Sequence, residues 1–198
     1  MNRKTVGRNR VRIIGGQFRR RLISFPDQQG LRPTPDRVKE TLFNWLGQEL
    51  YGMHCLDLFA GSGSLGFEAA SRGAARVVMV DRTKPVLAAL EENRKLLGAN
   101  QVEIVAGDAR HFVRGCSGLF DLIFLDPPFD SALLVEVLPD LARILKPGGR
   151  VYAECAHWPP LDGWSILREG RAGLVSYALM EAADLSSLAA PSVQCQNL

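Results

Sequence analysis

Short apolar runs alternate with helix-like patterns along most of the chain. The apolar runs are typical of buried strands. They lie at residues 54–59, 76–80, 102–105, 119–125 and 150–155. Between them, apolar side chains recur at helical spacing in residues 65–72, 85–97 and 133–145. Alternation of strands and helices predicts an α/β fold, in which helices cover both faces of a parallel sheet.

The two ends of this region have other patterns. Apolar residues recur at helical spacing in residues 36–50, behind a proline that a first turn tolerates, which predicts an amphipathic helix. Residues 15–26 alternate enough for a short hairpin or an extended segment. Residues 164–168 and 174–179 flank a turn-like EGRAG, which predicts an antiparallel hairpin. The polar, unpatterned residues 186–198 predict a disordered tail.

Composition narrows the class of protein. With 198 residues, 46% of them hydrophobic, the chain fits one domain with a substantial core. No apolar stretch is long enough to span a membrane, and none follows the basic N-terminus as in a secretory signal. We therefore expect a cytoplasmic protein without membrane contact. The four cysteines and three histidines are scattered, which argues against a disulfide framework and a metal site. No pattern marks a dimer face, so we expect a monomer.

The net charge of +3 conceals an asymmetry. Residues 1–26 hold eight Arg or Lys and no acid, which leaves 16 basic and 21 acidic residues, about −5, for the remainder. A basic segment without acids suits binding to nucleic-acid phosphates, because each contact releases condensed counterions. A solvated basic tail has the same composition.

A glycine-rich loop follows the run at residues 54–59 and opens a helix. Gly61, Gly63 and Gly66 match G-x-G-x-x-G, and Asp81, at the end of the next strand, can accept from two ribose hydroxyls. Taken alone, this pattern suits a dinucleotide. Asp57 opposes that interpretation, because a pyrophosphate at the glycine turn would lie near a like charge. A cofactor with a cationic head, such as S-adenosylmethionine, is instead attracted by this acid.

A third acid follows the third strand. Asp108 can accept from an adenine amino group while the backbone N–H of Ala109 meets a ring nitrogen. Acids after three successive strand ends fit a nucleoside with a cationic tail. The structural alternative is that Asp57 and Asp108 cap the helices that follow them.

The segment IFLDPPF, residues 123–129, ends the fourth strand at the same edge of the sheet. Pro127 and Pro128 stiffen the backbone and remove two amide donors. If Asp126 and the Pro127 carbonyl each accept one N–H of a nucleobase amine, its nitrogen can aim a lone pair at an electrophilic methyl group. Phe129 would hold the base by stacking. The alternative is a stiff turn whose acid caps the next helix.

The motifs DLFAGSGSLG, VDR, GDA and DPPF resemble the class I S-adenosylmethionine-dependent methyltransferases that modify exocyclic amines. With RIIGGQFRRRLI and LRPTPDRVKETLFNWL, the chain looks like the bacterial 16S ribosomal RNA guanine-N2 methyltransferases over about residues 10–180. The resemblance implies a Rossmann-like, seven-stranded, mostly parallel sheet whose last strand is antiparallel. It also implies methyl transfer to a guanine of 16S rRNA, in the small ribosomal subunit or its assembly intermediate. Pro35, where a second threonine is expected, and Asp81, where glutamate is frequent, depart from the family pattern.

The resemblance divides the chain and gives roles to its motifs. Residues 1–30 would be a basic, RNA-contacting extension, and residues 31–185 the methyltransferase domain. The expected RNA contacts are Arg10, Arg12, Arg19, Arg20 and Arg21. The expected cofactor contacts are Asp57, Phe59, Gly61, Gly63, Asp81, Arg82, Asp108 and Ala109. The expected catalytic residues are Asp126, Pro127, Pro128 and Phe129.

Three other functions share parts of this pattern. An adenine-N6 methyltransferase has the same DPPF chemistry, although this chain is short for an added target-recognition domain. A dinucleotide-dependent oxidoreductase shares the glycine loop, but Asp57 opposes it. A non-catalytic RNA-binding protein would leave DPPF and the glycine loop without a purpose.

Overall fold

A two-stranded hairpin precedes a seven-stranded sheet in a computed structural model of the chain, which describes residues 8–28, 31, 33–128 and 132–183. The strands are β1 (Arg8–Arg12), β2 (Leu22–Pro26), β3 (His54–Asp57), β4 (Arg76–Asp81), β5 (Val102–Ala106), β6 (Phe120–Leu125), β7 (Leu145–Cys155), β8 (Trp164–Ala172) and β9 (Val175–Ala182). The order in the large sheet is β5-β4-β3-β6-β7-β9-β8. Strands β3 to β7 are parallel, and β9 is antiparallel to both of its neighbours. The predicted fold class and the C-terminal hairpin are confirmed.

Helices cover both faces of this sheet. They are α1 (Asp36–Trp45), α2 (Ser64–Ser71), α3 (Lys84–Leu97), α4 (Ala109–Gly115) and α5 (Leu133–Leu141). Successive strand side chains point to opposite faces and enter two separate apolar clusters. One cluster packs against the β1–β2 hairpin, α1, α2 and α3, and the other packs against α4 and α5. Because both faces are buried, the central strands have no alternating polar residues.

Some predicted boundaries were wrong. The helix predicted to end at residue 50 ends at Trp45, because Gly47 and Gln48 have φ angles of 88° and 71°, which no α-helix contains. The helix predicted to end at residue 145 ends at Leu141, and a 3₁₀ turn follows it. Strand β7 begins at residue 145, not 150, and α4 was not predicted at all.

The β1–β2 hairpin packs against α2. Residues 15–26 contain its turn and its second strand, which pairs with β1. The backbone N–H groups of Ile14 and Gly15 donate to the carboxylate of Glu68, at 2.9 and 2.7 Å. That carboxylate is fully buried and also binds the guanidinium of Arg72 at 2.9 Å. Gly16 has φ 69°, and a Cβ there would lie 1.8 Å from the carbonyl oxygen of Ser71, so only glycine fits.

The order of the strands creates a crevice at one edge of the sheet. The chain passes from β3 outward to β5 and then returns to place β6 on the other side of β3. In open α/β sheets, ligands bind outside the carboxyl ends of the strands where the order reverses in this way. Asp57 ends β3, and Asp126 directly follows β6. The two acids therefore flank this crevice.

Two predictions concern parts of the chain outside the described residues. These are the stacking role of Phe129 and the disordered tail over 186–198. Among the described residues, no helix is long and apolar enough to cross a membrane.

Candidate active site

A cavity of about 320 Å³ opens at the carboxyl edge of the sheet. Its walls come from the ends of β3, β4, β5 and β6 and from the segment before α1. The predicted site residues that line it are Asp57, Phe59, Gly61, Asp81, Arg82, Asp108, Ala109, Asp126, Pro127 and Pro128. Gln28 and Leu31, which sequence reasoning missed, close it from the N-terminal side. The cavity has the size of a small-molecule site.

Gly63 is the one predicted cofactor residue of the described chain that does not line this cavity. It precedes α2 with φ 79°, and a Cβ there would lie 2.7 Å from the side chain of Leu90 and 2.8 Å from that of Phe67. The structure therefore gives Gly63 a role in packing α2 closely, which also requires glycine.

The carboxylate of Asp81 holds the two loops that border the cavity. One oxygen accepts the backbone N–H of Gly61 at 3.1 Å, and the other accepts that of Thr83 at 2.8 Å. Gly61 itself has φ 49°, and a Cβ there would lie 2.9 Å from the side chain of Leu31. Asp81 thus fixes the glycine loop and stays at the cavity wall.

Asp57 is a nearly buried acid, 2% exposed, beside the glycine loop. Its carboxylate accepts the backbone N–H of Gly66 at 3.0 Å, so it does cap a free amide in the first turn of α2. Burial raises the pKa of Asp57 to about 7; the Gly66 hydrogen bond opposes this rise, and the charge of Asp81 adds to it. A cationic group in the cavity would stabilise the charged form of this acid.

Asp108 caps α4, which is the structural role that the sequence left open for it. Its carboxylate accepts the backbone N–H groups of Arg110 and His111. The guanidinium of Arg110 also binds it, at 3.0 and 3.1 Å. These hydrogen bonds lower the pKa of Asp108 to about 2, with that of the Arg110 side chain as the largest contribution. Asp108 lines the cavity with most of its acceptor capacity already used.

Asp126 lies at the cavity beside a second acid that sequence reasoning missed. Burial raises the pKa of Asp126 well above its usual range, and the carboxylates of Glu154 and Asp57 raise it further. Glu154 is 4% exposed near the end of β7, and burial raises its pKa as well. The signal was in the sequence, since Glu154 closes an apolar run as Asp57 and Asp81 do.

A second, smaller cavity of about 180 Å³ adjoins the first. Pro127 and Pro128 line both cavities. Glu154, Leu134 and Trp158 are among the other walls of the second one. A group held at the Pro127 carbonyl could therefore meet ligands from both cavities.

The five arginines predicted to bind RNA are exposed on the β1–β2 hairpin. Arg10 and Arg12 lie on β1, and Arg19, Arg20 and Arg21 lie in the turn region before β2. Arg21 donates to the carbonyl oxygen of Leu96 at 3.0 Å. The hairpin thus displays a basic surface while its apolar side chains join the core.

Among the described residues, no group of three or more His, Cys, Asp or Glu side chains could hold a metal ion. Three of the four cysteines are described, and all three are free thiols.

Known proteins with similar sequences and structures cover most of the chain. The family described as Conserved hypothetical protein 95 matches residues 11–181. Ribosomal RNA small subunit methyltransferase D of Haemophilus influenzae is 41% identical over 180 residues, 86% of this chain and 93% of that protein. Its Escherichia coli counterpart is 38% identical over 185 residues, 88% of this chain and 91% of that protein. A solved structure of a candidate methyltransferase from Escherichia coli, 39% identical, superposes with a TM-score of 0.79 over 88% of this chain and 98% of the other.

Proposed function

The chain belongs to the ribosomal RNA small subunit methyltransferase D family, and from this premise we propose that it methylates the exocyclic N2 amine of a guanine in 16S rRNA. Family membership supports an enzyme that transfers methyl groups to ribosomal RNA. The methyl donor is S-adenosylmethionine, whose sulfonium supplies an electrophilic methyl group. One observation carries the choice of reacting group. Asp126 and Pro127 border the same cavity as the acids suited to a cationic nucleoside.

The donor set of the larger cavity fits this cofactor. Asp57 offers a buried carboxylate for a cationic amino-acid head, and Asp81 lies at the strand end where ribose hydroxyls bind in such folds. For the base, the backbone N–H of Ala109 stands at the third strand end beside Asp108. The guanidinium of Arg110 already binds the Asp108 carboxylate, so an adenine amino group would have to share this acceptor with Arg110. A pyrophosphate would instead lie close to Asp57.

The chemistry of the amine follows from its acceptors. The lone pair of a guanine amine is delocalised into the ring, so the free amine is a poor nucleophile. Acceptance of its two N–H groups by Asp126 and the Pro127 carbonyl lets the nitrogen pyramidalise. Bound S-adenosylmethionine would supply the methyl group, and the guanine nitrogen that takes it up would become cationic. The Asp126 carboxylate would stabilise this charge and accept the proton that the nitrogen then loses.

The hairpin arginines supply affinity for the RNA. Residues 1–30 form the proposed RNA-contacting segment, and residues 31–185 carry the chemistry. Guanidinium groups of Arg10, Arg12 and Arg19 to Arg21 would bind phosphates without reading sequence. Phe129 remains the proposed stacking partner of the target base.

Labelled methyl transfer tests this proposal. The full-length protein is incubated with methyl-tritiated S-adenosylmethionine and with small ribosomal subunits from cells that lack it. Asp126→Asn should lower turnover by about 10² to 10⁴, the range for a group of this kind, while affinity for S-adenosylhomocysteine stays within about threefold. Asp140→Asn, at the surface on α5, should leave both unchanged and serves as the matched control. Near-normal turnover of Asp126→Asn would refute the role of this carboxylate.

A further inference from the structure

Glu154 is a buried acid that the proposed methyl transfer does not use. Leu125 of β6 pairs with Ala153 of β7, so the next residues along the two strands, Asp126 and Glu154, lie side by side. On its other side Glu154 pairs with Tyr177 of β9. Register therefore fixes the position of this carboxyl group next to the proposed amine acceptor.

The carboxylate of Glu154 can accept more hydrogen bonds than its surroundings supply. The hydroxyl of Tyr152 donates to Oε1 at 2.9 Å. The Thr34 hydroxyl lies close enough to favour the charged carboxylate, yet its geometry does not reach that of a hydrogen bond. Thr34 is 3% exposed, and its oxygen is the one buried side-chain N or O atom of the described chain that has no partner. Buried groups left unpaired in this way commonly mark a place for water or a ligand.

The second cavity brings a base within reach of this group. Glu154 forms part of its wall, and Pro127 and Pro128 line both this cavity and the proposed cofactor cavity. The aromatic ring of Trp158 and the side chain of Leu134 supply apolar walls. A flat ring in this cavity would lie with its amine at Pro127 and the adjacent ring atom toward Glu154.

Guanine and adenine differ at that adjacent atom. In guanine, the ring nitrogen N1 carries a hydrogen and stands next to the N2 amine, so two donors lie side by side. In adenine, N1 next to the N6 amine is an acceptor, and a carboxylate facing it would be repelled. We propose that Glu154 accepts the N1–H of the target guanine and so selects guanine over adenine. This inference rests on the proposed guanine methylation, and gives that reaction the base preference that the DPPF motif lacks.

A purely structural role for Glu154 is the competing explanation, since a buried tyrosine hydroxyl needs a partner. Tyr152→Phe separates the two roles, because it removes that hydroxyl and leaves the carboxylate in place. A structural role predicts that Tyr152→Phe and Glu154→Gln alter only stability. A recognition role predicts that Glu154→Gln alone changes the choice of base.

The test uses two 16S rRNAs assembled into small subunits. One carries guanine at the methylated position mapped with the wild-type enzyme, and the other carries 2-aminopurine there. 2-Aminopurine keeps the reactive N2 amine but has an acceptor at N1. The measured quantity is the guanine to 2-aminopurine ratio of initial rates at subsaturating RNA. The wild-type ratio should be about 10² or more, as for sites that hydrogen-bond a group the analogue lacks.

Glu154→Gln should lower this ratio at least about tenfold, because the glutamine amide can donate to N1 of 2-aminopurine. Tyr152→Phe should keep the ratio within about threefold of the wild-type value. An unchanged ratio in Glu154→Gln, or an equal reduction in Tyr152→Phe, would overturn the inference while leaving guanine methylation intact. Absence of wild-type methylation of the guanine RNA would instead refute the proposed function.

Discussion

Asp57 destabilises the folded protein and has a proposed role in binding the cofactor. The carboxyl group of Asp57 is 2% exposed, and burial raises its pKa to about 7. Its ionisation therefore destabilises the folded protein relative to the unfolded chain. The hydrogen bond from the backbone N–H of Gly66 offsets only part of this destabilisation. A cationic ligand in the cavity would offset more of the destabilisation. We therefore expect the free protein to be destabilised at this position.

Asp57→Asn should raise the free energy of unfolding at pH 8 by roughly 2 to 4 kcal/mol, because about three pKa units separate the folded and unfolded acid. The unfolded chain ionises above pH 4 and the folded one only near pH 7. The wild-type protein therefore loses stability across this window, and the advantage of the variant should vanish toward pH 4. Urea unfolding at several pH values measures it.

The same variant should bind S-adenosylhomocysteine at least about tenfold more weakly, because it lacks the charge that we propose attracts the amino group. Asp140→Asn, at the surface, should change neither quantity. Equal or lower stability of Asp57→Asn at pH 8, together with unchanged affinity, would refute both the cost of ionising Asp57 and its proposed role in binding.

The positions of individual residues could be predicted from the sequence where the local pattern of apolar and polar residues determines them. Asp57, Asp81 and Asp126 end or follow apolar runs, and all three line the cavity. The use of Asp108 by Arg110 depends on α4, a helix too short to give a clear period in the sequence. Glu154 also closes an apolar run, but its place beside Asp126 depends on the pairing of β6 with β7, which residues about 30 positions apart do not reveal.

Among the elements, the β1–β2 hairpin depends on one buried acid. The carboxylate of Glu68 accepts two hairpin amides and binds Arg72, so it connects the N-terminal segment to α2. The turn of the hairpin was hidden in the sequence by its run of three arginines, which carries no strand or helix period. Its position is set by hydrogen bonds to residues more than 50 positions away.

Glu68→Gln should lower the free energy of unfolding by about 3 kcal/mol or more, because it leaves the buried Arg72 without a charged partner. The backbone amides of Ile14 and Gly15 should also exchange hydrogen faster. Glu103→Gln is the matched control, since its ion pair with Arg76 is exposed and should contribute under about 1 kcal/mol. Similar decreases in the two variants would show that Glu68 does not anchor the hairpin.

In the molecule as a whole, the basic surface of the hairpin and the candidate active site occupy different regions. The hairpin displays five exposed arginines and packs into the same apolar cluster as the central strands. The chain then leads directly to Gln28 and Leu31 at the cavity. Phosphate binding at the hairpin would therefore orient the RNA relative to the crevice.

Replacing Arg10, Arg12, Arg19, Arg20 and Arg21 with glutamine should weaken binding of 16S rRNA and flatten its dependence on salt. Removing one phosphate-binding cation should reduce the slope of log affinity against log salt by about 0.7 to 0.9. Arg168 and Arg171 are also exposed but lie on β8 at the far edge of the sheet. Their replacement should leave the slope unchanged, whereas equal slopes in all three proteins would exclude the hairpin from RNA binding.

The identity of the methylated nucleoside is the most direct test of guanine-N2 methylation. Small ribosomal subunits from cells that lack the protein are incubated with purified enzyme and labelled S-adenosylmethionine, and their 16S rRNA is digested to nucleosides for mass spectrometry. Guanine-N2 methylation predicts label in N2-methylguanosine and in no other nucleoside. Label in N6-methyladenosine, or none in 16S rRNA, would contradict it.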